Sequence, residues 1–370
     1  MRAVTESLYV SDIGVALIGY GLAGAVFHAP LIAATPGLRV RAVVTGNPDR
    51  RRRAREDFPD ARLPATADEL WSEIGDIGLA VVATPNHLHA PQAITALELG
   101  LAAVVDKPLA TSAVEAGTML EAAERTGGLL SVFHNRRWDG DFLLLRELVE
   151  HDRLGGLHRL EARFERYRPD VKSGTWRAEA TAERGGGLLF DLGSHLIDQA
   201  LVLLGRPDGV YGEVTGVRPG AVADDDCFLA LRFEGGAHAH LWMSAVAPAI
   251  GPRWRAWGSR EALEVWGLDP QEAQSLAGRR PGSPGFGEPD GGQRASLVGS
   301  GERSGAGRDI RLPAGRAADF YAGMAAAIRG EAPVPVPAQA GIDVLAVIEA
   351  ARQSAETQTV VAPRWWRPAP

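Results

Sequence analysis

The stretch Val15–Gly24 reads VALIGYGLAG: four apolar residues run directly into Gly19, Gly21 and Gly24. Val15–Ile18 is a short β-type run, and Ala25–Ala34 beyond the glycines reads as a helix. Strand, G-x-G-x-x-G and helix in that order form a dinucleotide-binding fingerprint; the glycine pattern alone is weak. The first glycine permits a tight turn, the second lets backbone approach a pyrophosphate, and the third allows close helix–strand packing. The anion then rests on free N–H groups at the positive end of the helix. The bland alternative is a structural glycine-rich turn.

Outward from this loop the chain alternates. Leu38–Thr45 is a Val-rich strand and Arg50–Phe58 a charged helix. Ile77–Ala83 is an apolar run, Ala90–Leu99 a helix stopped at Gly100, and Ala102–Val105 another strand. Ser112–Arg125 is a helix closed by Gly127-Gly128, and Leu129–Phe133 a strand again. Such alternation implies crossover units and a parallel sheet, and near-continuous apolar strands fit a sheet covered on both faces. The chain is therefore expected to be α/β, with a Rossmann dinucleotide-binding domain over residues 12–136.

The second half changes character. Phe142–Glu150 reads as a helix leading out, Leu157–Tyr167 as a half-buried strand, and Asp191–Leu204 as a helix ended by Gly205 and Pro207. Five strand-like runs follow: Gly209–Val217, Cys227–Phe233, Ala237–Ala245, Trp254–Trp257 and Ala262–Trp266. They predict a C-terminal α+β domain, residues 137–362, on an open and largely antiparallel sheet. Arg280–Gly307 is rich in Gly, Ser and Pro and reads as a mobile surface loop. Helices are expected at Ala317–Arg329 and Ile342–Glu356. The tail Arg364-Trp365-Trp366-Arg367 is expected to pack at a subunit interface or against a domain.

At 370 residues the chain exceeds the usual size of one core. A net charge of -7 gives no general attraction to nucleic acid or anionic lipid. One cysteine, Cys227, excludes an internal disulfide framework and fits a reducing cytosol. Its apolar run makes it a core residue rather than a nucleophile. The first eleven residues do not read as a signal peptide, and with no apolar run of about 18 residues we expect no membrane span.

Strand ends carry the candidate chemistry. NAD enzymes commonly place a carboxylate at the tip of the second strand, for the ribose hydroxyls. Here the tip reads Val43-Val44-Thr45-Gly46-Asn47, followed by Arg50, Arg51, Arg52 and Arg53. An Arg suits a 2′-phosphate that an acid would repel, so NADP is expected over NAD. Some of those arginines simply form a solvated helix face. Asp106-Lys107-Pro108 closes an apolar strand, where open α/β sheets place ligands. Asp191 and His195 stand four apart at a helix start, on one side, with Asp198 continuing it. A His beside a carboxylate can do acid–base work. The bland readings are an N-cap for Asp191 and a hydrogen-bonded core residue for His195. No set of familiar metal-site spacing occurs.

Taken together, the glycine loop, Ala83-Thr84-Pro85-Asn86-His87-Leu88-His89, Asp106-Lys107-Pro108 and Asp191 with His195 resemble the Gfo/Idh/MocA oxidoreductases. The resemblance spans nearly the whole chain and is nearest to the NADP-dependent scyllo-inositol dehydrogenase branch. It rests on GYGLAGAVFHAPL (19–31), VDKP (105–108), SVFHNRRWDGDF (131–142), DLGSHLIDQA (191–200) and GSREALEVWGLDPQ (258–271). It implies a hydride transfer between NADP and the carbinol carbon of a small polyol or sugar. Lys107 would hydrogen-bond the substrate hydroxyl, His195 would carry its proton, and Asp191 would orient substrate or support His195. On the cofactor, the implied set is Gly19, Gly21, Leu22, Ala23, Gly24, Thr45, Asn47 and Arg50. Thr84, Pro85, Asn86 and His89 would line the nicotinamide side, beside Asp106 and Lys107. Asn135, Arg137, Trp176 and Arg177 are candidates for the substrate wall. Many relatives have Glu at the position of Asp106; the nearest branch shares Asp. The resemblance further implies a cis bond before Pro108 and subunit contacts through the open sheet, hence a homodimer or homotetramer; the single cysteine separately places the chain in the cytoplasm as an expectation. Two other readings stand beside this one: a reductase of another sugar or ketosugar, and a non-catalytic NADP-binding sensor.

Overall fold

A computed structural model describes residues 12–171, 180–303 and 306–367. The glycine loop leaves an inner strand of a five-stranded parallel sheet. β1 (Ile13–Ile18) lies between β2 (Leu38–Val44) and β3 (Ile77–Val82), and β4 (Ala102–Asp106) and β5 (Leu130–Phe133) follow, giving the order β2-β1-β3-β4-β5. Val15–Leu17, Leu79–Val82 and Ala103–Val105 are wholly buried, as two-sided burial of a parallel sheet requires. The order of crossovers reverses between β1 and β3. That reversal opens a crevice beyond the carboxyl ends of these strands, where such sheets bind ligands.

The second unit is an eight-stranded sheet. Its strands are β6 (Arg159–Glu165), β7 (Pro207–Thr215), β8 (Asp226–Phe233), β9 (His238–Ser244), β10 (Trp254–Trp257), β11 (Glu261–Trp266), β12 (Arg294–Gly299) and β13 (Arg308–Ile310). They are ordered β13-β12-β11-β10-β6-β9-β8-β7, and every neighbouring pair is antiparallel except β6 with β9. Alternation sorts the two faces. Leu160, Ala162, Leu229, Leu231, Leu241, Leu263 and Val265 are buried. The other face keeps Phe228, His240, Trp242, Trp257 and Trp266 half-exposed, with the Arg163 guanidinium 3.9 Å from the Trp242 ring centre. β12 lies inside the Gly-rich stretch expected to be a loop. Its alternating Arg294-Ala295-Ser296-Leu297 buries Ala295 and Leu297 against β11, and pairing supplied the order that composition hid.

An 18-residue window within the helical run Ala182–Leu204 has a mean hydropathy of 1.4, and the run is long and apolar enough to cross a membrane by length and composition. It is mostly buried within the protein, as the core helix of a globular chain is. Within it a widened, π-type turn at Leu189–Gly193 precedes the regular helix Ser194–Leu204.

The C-terminal helices bind the two sheets together. The helix Ala338–Thr357 packs both on Ala113–Thr126 of the first unit and on β7 of the second. Ser131 Oγ donates to Val336 O at 2.8 Å, and Ala113 N donates to Glu349 Oε1 at 2.7 Å. The tail folds back as well: Trp366 lies directly on Gly117, where a side chain would collide with its indole, and Arg206 stacks on Trp365.

Candidate active site

Three glycines shape the loop, each for its own reason. Gly19 has φ +99°, a region L side chains rarely adopt, and a Cβ there would press on the Ala83 carbonyl. Gly24 sits where a Cβ would run into the Gly19 carbonyl, so helix and strand could not close. Gly21 is different. It has ordinary φ, and the nearest atom to an added Cβ is Arg50 Nη1 at 3.8 Å. Among the described residues nothing demands glycine at position 21. The open space beside it is the approach a pyrophosphate requires, and the residues present fit a dinucleotide.

The strand tip that was expected to choose the cofactor is crowded with arginines, now sorted by contact. Arg52 pairs with Asp49 at 2.9 Å and Arg53 with Asp57 at 3.5 Å. Arg51 donates to the Thr45 carbonyl at 3.4 Å. Arg50 has no ion pair among the described residues and lies exposed over Gly21. Thr45 is buried, and Asn47 caps the next helix by accepting from Arg50 N at 3.0 Å. Leu22 and Ala23 open the helix that follows the loop.

At the carboxyl end of β4 the Lys107–Pro108 bond is cis. Lys107 Nζ donates to Asp191 Oδ1 at 2.8 Å and to the Asp191 carbonyl at 2.6 Å. The π-type turn brings that carbonyl and carboxylate to the same ammonium. Both residues line a cavity of about 500 Å³, together with Asn86, Pro108, Arg166 and Arg168. Asn86 closes its rim by donating to the Gly185 carbonyl at 2.9 Å.

His195 lies behind this pair, 5 % exposed, with Phe164 and His134 edge-on to its ring. Burial, followed by the charges of Lys107 and Arg136, holds it well below the ordinary imidazole range. Its Nδ1 is buried without a hydrogen-bond partner among the described residues. Asp198 faces elsewhere, accepting both Arg137 Nε at 2.9 Å and Arg137 Nη2 at 2.6 Å.

Other residues singled out in the sequence are placed as follows. His89 is fully buried, with Nδ1 2.9 Å from Pro108 O and Nε2 2.9 Å from Thr84 O, so it ties two loops together beneath the site. Thr84 Oγ1 donates to Gln92 at 2.8 Å, and Pro85 is half-buried between Thr84 and Asn86. Asp106 points inward and accepts from Lys107 N at 2.9 Å. Burial opposes its charge, but the neighbouring His28, Lys107 and His89 prevail and hold it at about 2. Asn135 and Arg137 are not among the residues lining the cavity, and Arg137 is committed to Asp198. Trp176 and Arg177 lie outside the described residues. Cys227 is buried, its Sγ 3.3 Å from Asp224, and burial pushes its pKa up, away from reactivity.

Sequence reasoning missed Arg166 and Arg168. They lie at and beyond the end of β6 and reach the cavity only because β6 pairs with β9. It also left His28 unassigned. His28 meets Tyr321 across 293 positions of chain, a separation that no local pattern reports.

A dinucleotide-binding loop, with Lys107 and Asp191 lining a cavity at the carboxyl end of β4, is the architecture of an NAD(P)-dependent dehydrogenase. Residues 13–134 match the model of the oxidoreductase family with NAD-binding Rossmann fold, and residues 142–264 match the GFO/IDH/MocA C-terminal domain. The chain belongs to the Gfo/Idh/MocA oxidoreductase family. It is 34% identical to scyllo-inositol 2-dehydrogenase (NADP(+)) IolW of Bacillus subtilis (strain 168), over 95% of this chain and 96% of that one. It is 36% identical to the oxidoreductase YdgJ of Escherichia coli (strain K12), over 93% and 97%. The solved structure of the YPO2259 protein of Yersinia pestis superposes with a TM-score of 0.87 at 35% identity, covering 97% of this chain and 99% of the other.

Proposed function

We propose that the chain is an NADP-linked dehydrogenase acting on a carbinol carbon of a small polyol or sugar, inositol-like in size and polarity. The observation that carries this is the Lys107–Asp191 pair facing an open cavity at the carboxyl end of β4. When bound, the nicotinamide supplies the hydride acceptor or donor. Lys107, held at two oxygens of Asp191, points a donor at the reacting oxygen and stabilises charge that develops there. His195, uncharged in its buried setting, takes the hydroxyl proton in oxidation and returns it in reduction. With Nδ1 sealed inside, Nε2 is the atom that does so. Arg166 and Arg168 offer donors to further hydroxyls of the substrate. The name of the Bacillus subtilis relative, a scyllo-inositol dehydrogenase using NADP(+), supports the polyol reading.

The test is reduction of NADP, followed by absorbance, against a panel of inositols, aldoses and ketoses. Turnover of a cyclic polyol is expected. A base works only when deprotonated, above its pKa, and this pKa is lowered. The acid limb of kcat/KM for oxidation is therefore expected below pH 6.5. Tight NADP binding with no turnover of any polyol would favour the sensor reading.

Arg50 and the carboxylate-free tip of β2 support NADP over NAD. Arg50→Ala is expected to raise KM for NADP about tenfold, the loss of one charge-assisted contact, and to leave KM for NAD within about twofold. A wild-type enzyme that uses NAD with equal or better kcat/KM would refute the preference.

A further inference from the structure

Beneath the Asp106-Lys107-Pro108 turn lies a buried chain of polar groups from three separate elements. His28 ends the widened turn that begins the dinucleotide helix, Asp106 ends β4, and Tyr321 stands on the helix Ala318–Ile328. His28 and Tyr321 are both 0 % exposed. The Tyr321 hydroxyl and His28 Nδ1 are 2.6 Å apart, and His28 Nε2 lies 3.7 Å from Asp106 Oδ1. That same oxygen accepts the Lys107 backbone N–H at 2.9 Å. The Phe133 ring lies 4.1 Å from the His28 ring and fixes its plane. Phe320 stands edge-on to Phe133 and to Trp138, closing the apolar wall.

Chemistry orders this chain. A phenol surrounded by apolar rings and facing the Asp106 carboxylate keeps its proton, and the Tyr321 hydroxyl shares a hydrogen bond with His28 Nδ1. The Asp106 carboxylate favours a hydrogen on His28 Nε2, which faces it at 3.7 Å, an electrostatic contact longer than a hydrogen bond. The carboxylate then holds the Lys107 peptide, one bond from the turn that aims Nζ at Asp191. His89 flanks Asp106 as well and grips the Pro108 carbonyl, so the turn is held at both ends.

We propose that His28 and Tyr321 are positioning residues for catalysis: through Asp106 they fix the peptide that aims Lys107, linking the dinucleotide helix and the C-terminal helix to the reacting end of the site. Neither touches the substrate. The inference rests on the assignment of Lys107 to the reacting oxygen. The arrangement is a series, in which Tyr321 acts only by way of His28, and this gives it a distinctive signature.

The experiment compares Tyr321→Phe, His28→Gln, the double variant and Lys107→Met on the full chain, with the substrate found in the panel. Phe keeps the ring and removes one hydroxyl. Tyr321→Phe is expected to lower kcat about tenfold, as small misplacements of catalytic groups do. The Kd for NADPH, read by fluorescence, should stay within about twofold. His28→Gln should lower kcat at least as much, and the double variant no further than His28→Gln alone, because residues acting in series are not additive. Single-variant losses that multiply in the double variant, or a wild-type kcat in Tyr321→Phe, would overturn the proposal. Activity retained by Lys107→Met would instead overturn the underlying reading of the site. Should His28→Gln fail to fold, the kcat and Kd of Tyr321→Phe still decide the matter.

Discussion

Lys107→Met should lower kcat by about a thousandfold and leave NADPH binding nearly unchanged. Removing one preorganised donor from a developing oxyanion costs roughly 10²–10³ in kcat, and disturbing acid–base work adds to it. Lys107 is 10 % exposed and makes its two side-chain hydrogen bonds to Asp191, at the reacting end rather than at the glycine loop. Methionine keeps most of its length, so the cavity wall persists. Asp191 is left without its ammonium, but it is 32 % exposed at the cavity face and Arg166 remains 3.9 Å away, so the fold tolerates the change. Steady-state kinetics beside a fluorescence titration of NADPH measure both quantities. Wild-type turnover in this variant would end the proposed mechanism.

Gly21→Ala should produce the opposite pattern: an unchanged protein that no longer holds its cofactor. The open space at Gly21 and its ordinary φ mean that a methyl group strains nothing within the chain. Melting temperature is expected within about 2 °C of wild type, since a surface change without strain shifts stability by only about 0.5 kcal/mol. The methyl group would, however, stand where the pyrophosphate approaches. Losing one charge-assisted backbone hydrogen bond costs about 1.5–3 kcal/mol, so Kd for NADPH should rise roughly 10- to 150-fold. Gly24→Ala is the contrasting control. Its Cβ would collide with the Gly19 carbonyl, so it should lower stability by about 1–3 kcal/mol as well as weaken binding. Unchanged affinity in Gly21→Ala would remove the argument that the cofactor is what requires this glycine.

Both experiments probe features that differ in how openly the sequence displays them. The glycine spacing, the alternation of strands and helices, and the Asp106-Lys107-Pro108 and Asp191…His195 motifs are local, because a few consecutive residues carry each physical requirement. The sequence by itself therefore determined the five-stranded parallel sheet, the open second sheet and the place of the glycine loop at the carboxyl end of β1. Tertiary structure alone decided the rest. It brought Asp191 to Lys107 through a widened helical turn, a pairing that the spacing of Asp191 and His195 did not announce. Arg137 went to Asp198 and His89 between two carbonyls, because buried polar groups must find partners wherever packing offers them. Strand β12 emerged from a Gly-rich stretch because β11 offered it a paired edge. Tyr321 met His28 only when the C-terminal helix returned to the first sheet. Most of these contacts join residues tens to hundreds of positions apart, and their energy comes from burial and pairing in three dimensions, which local sequence pattern does not encode.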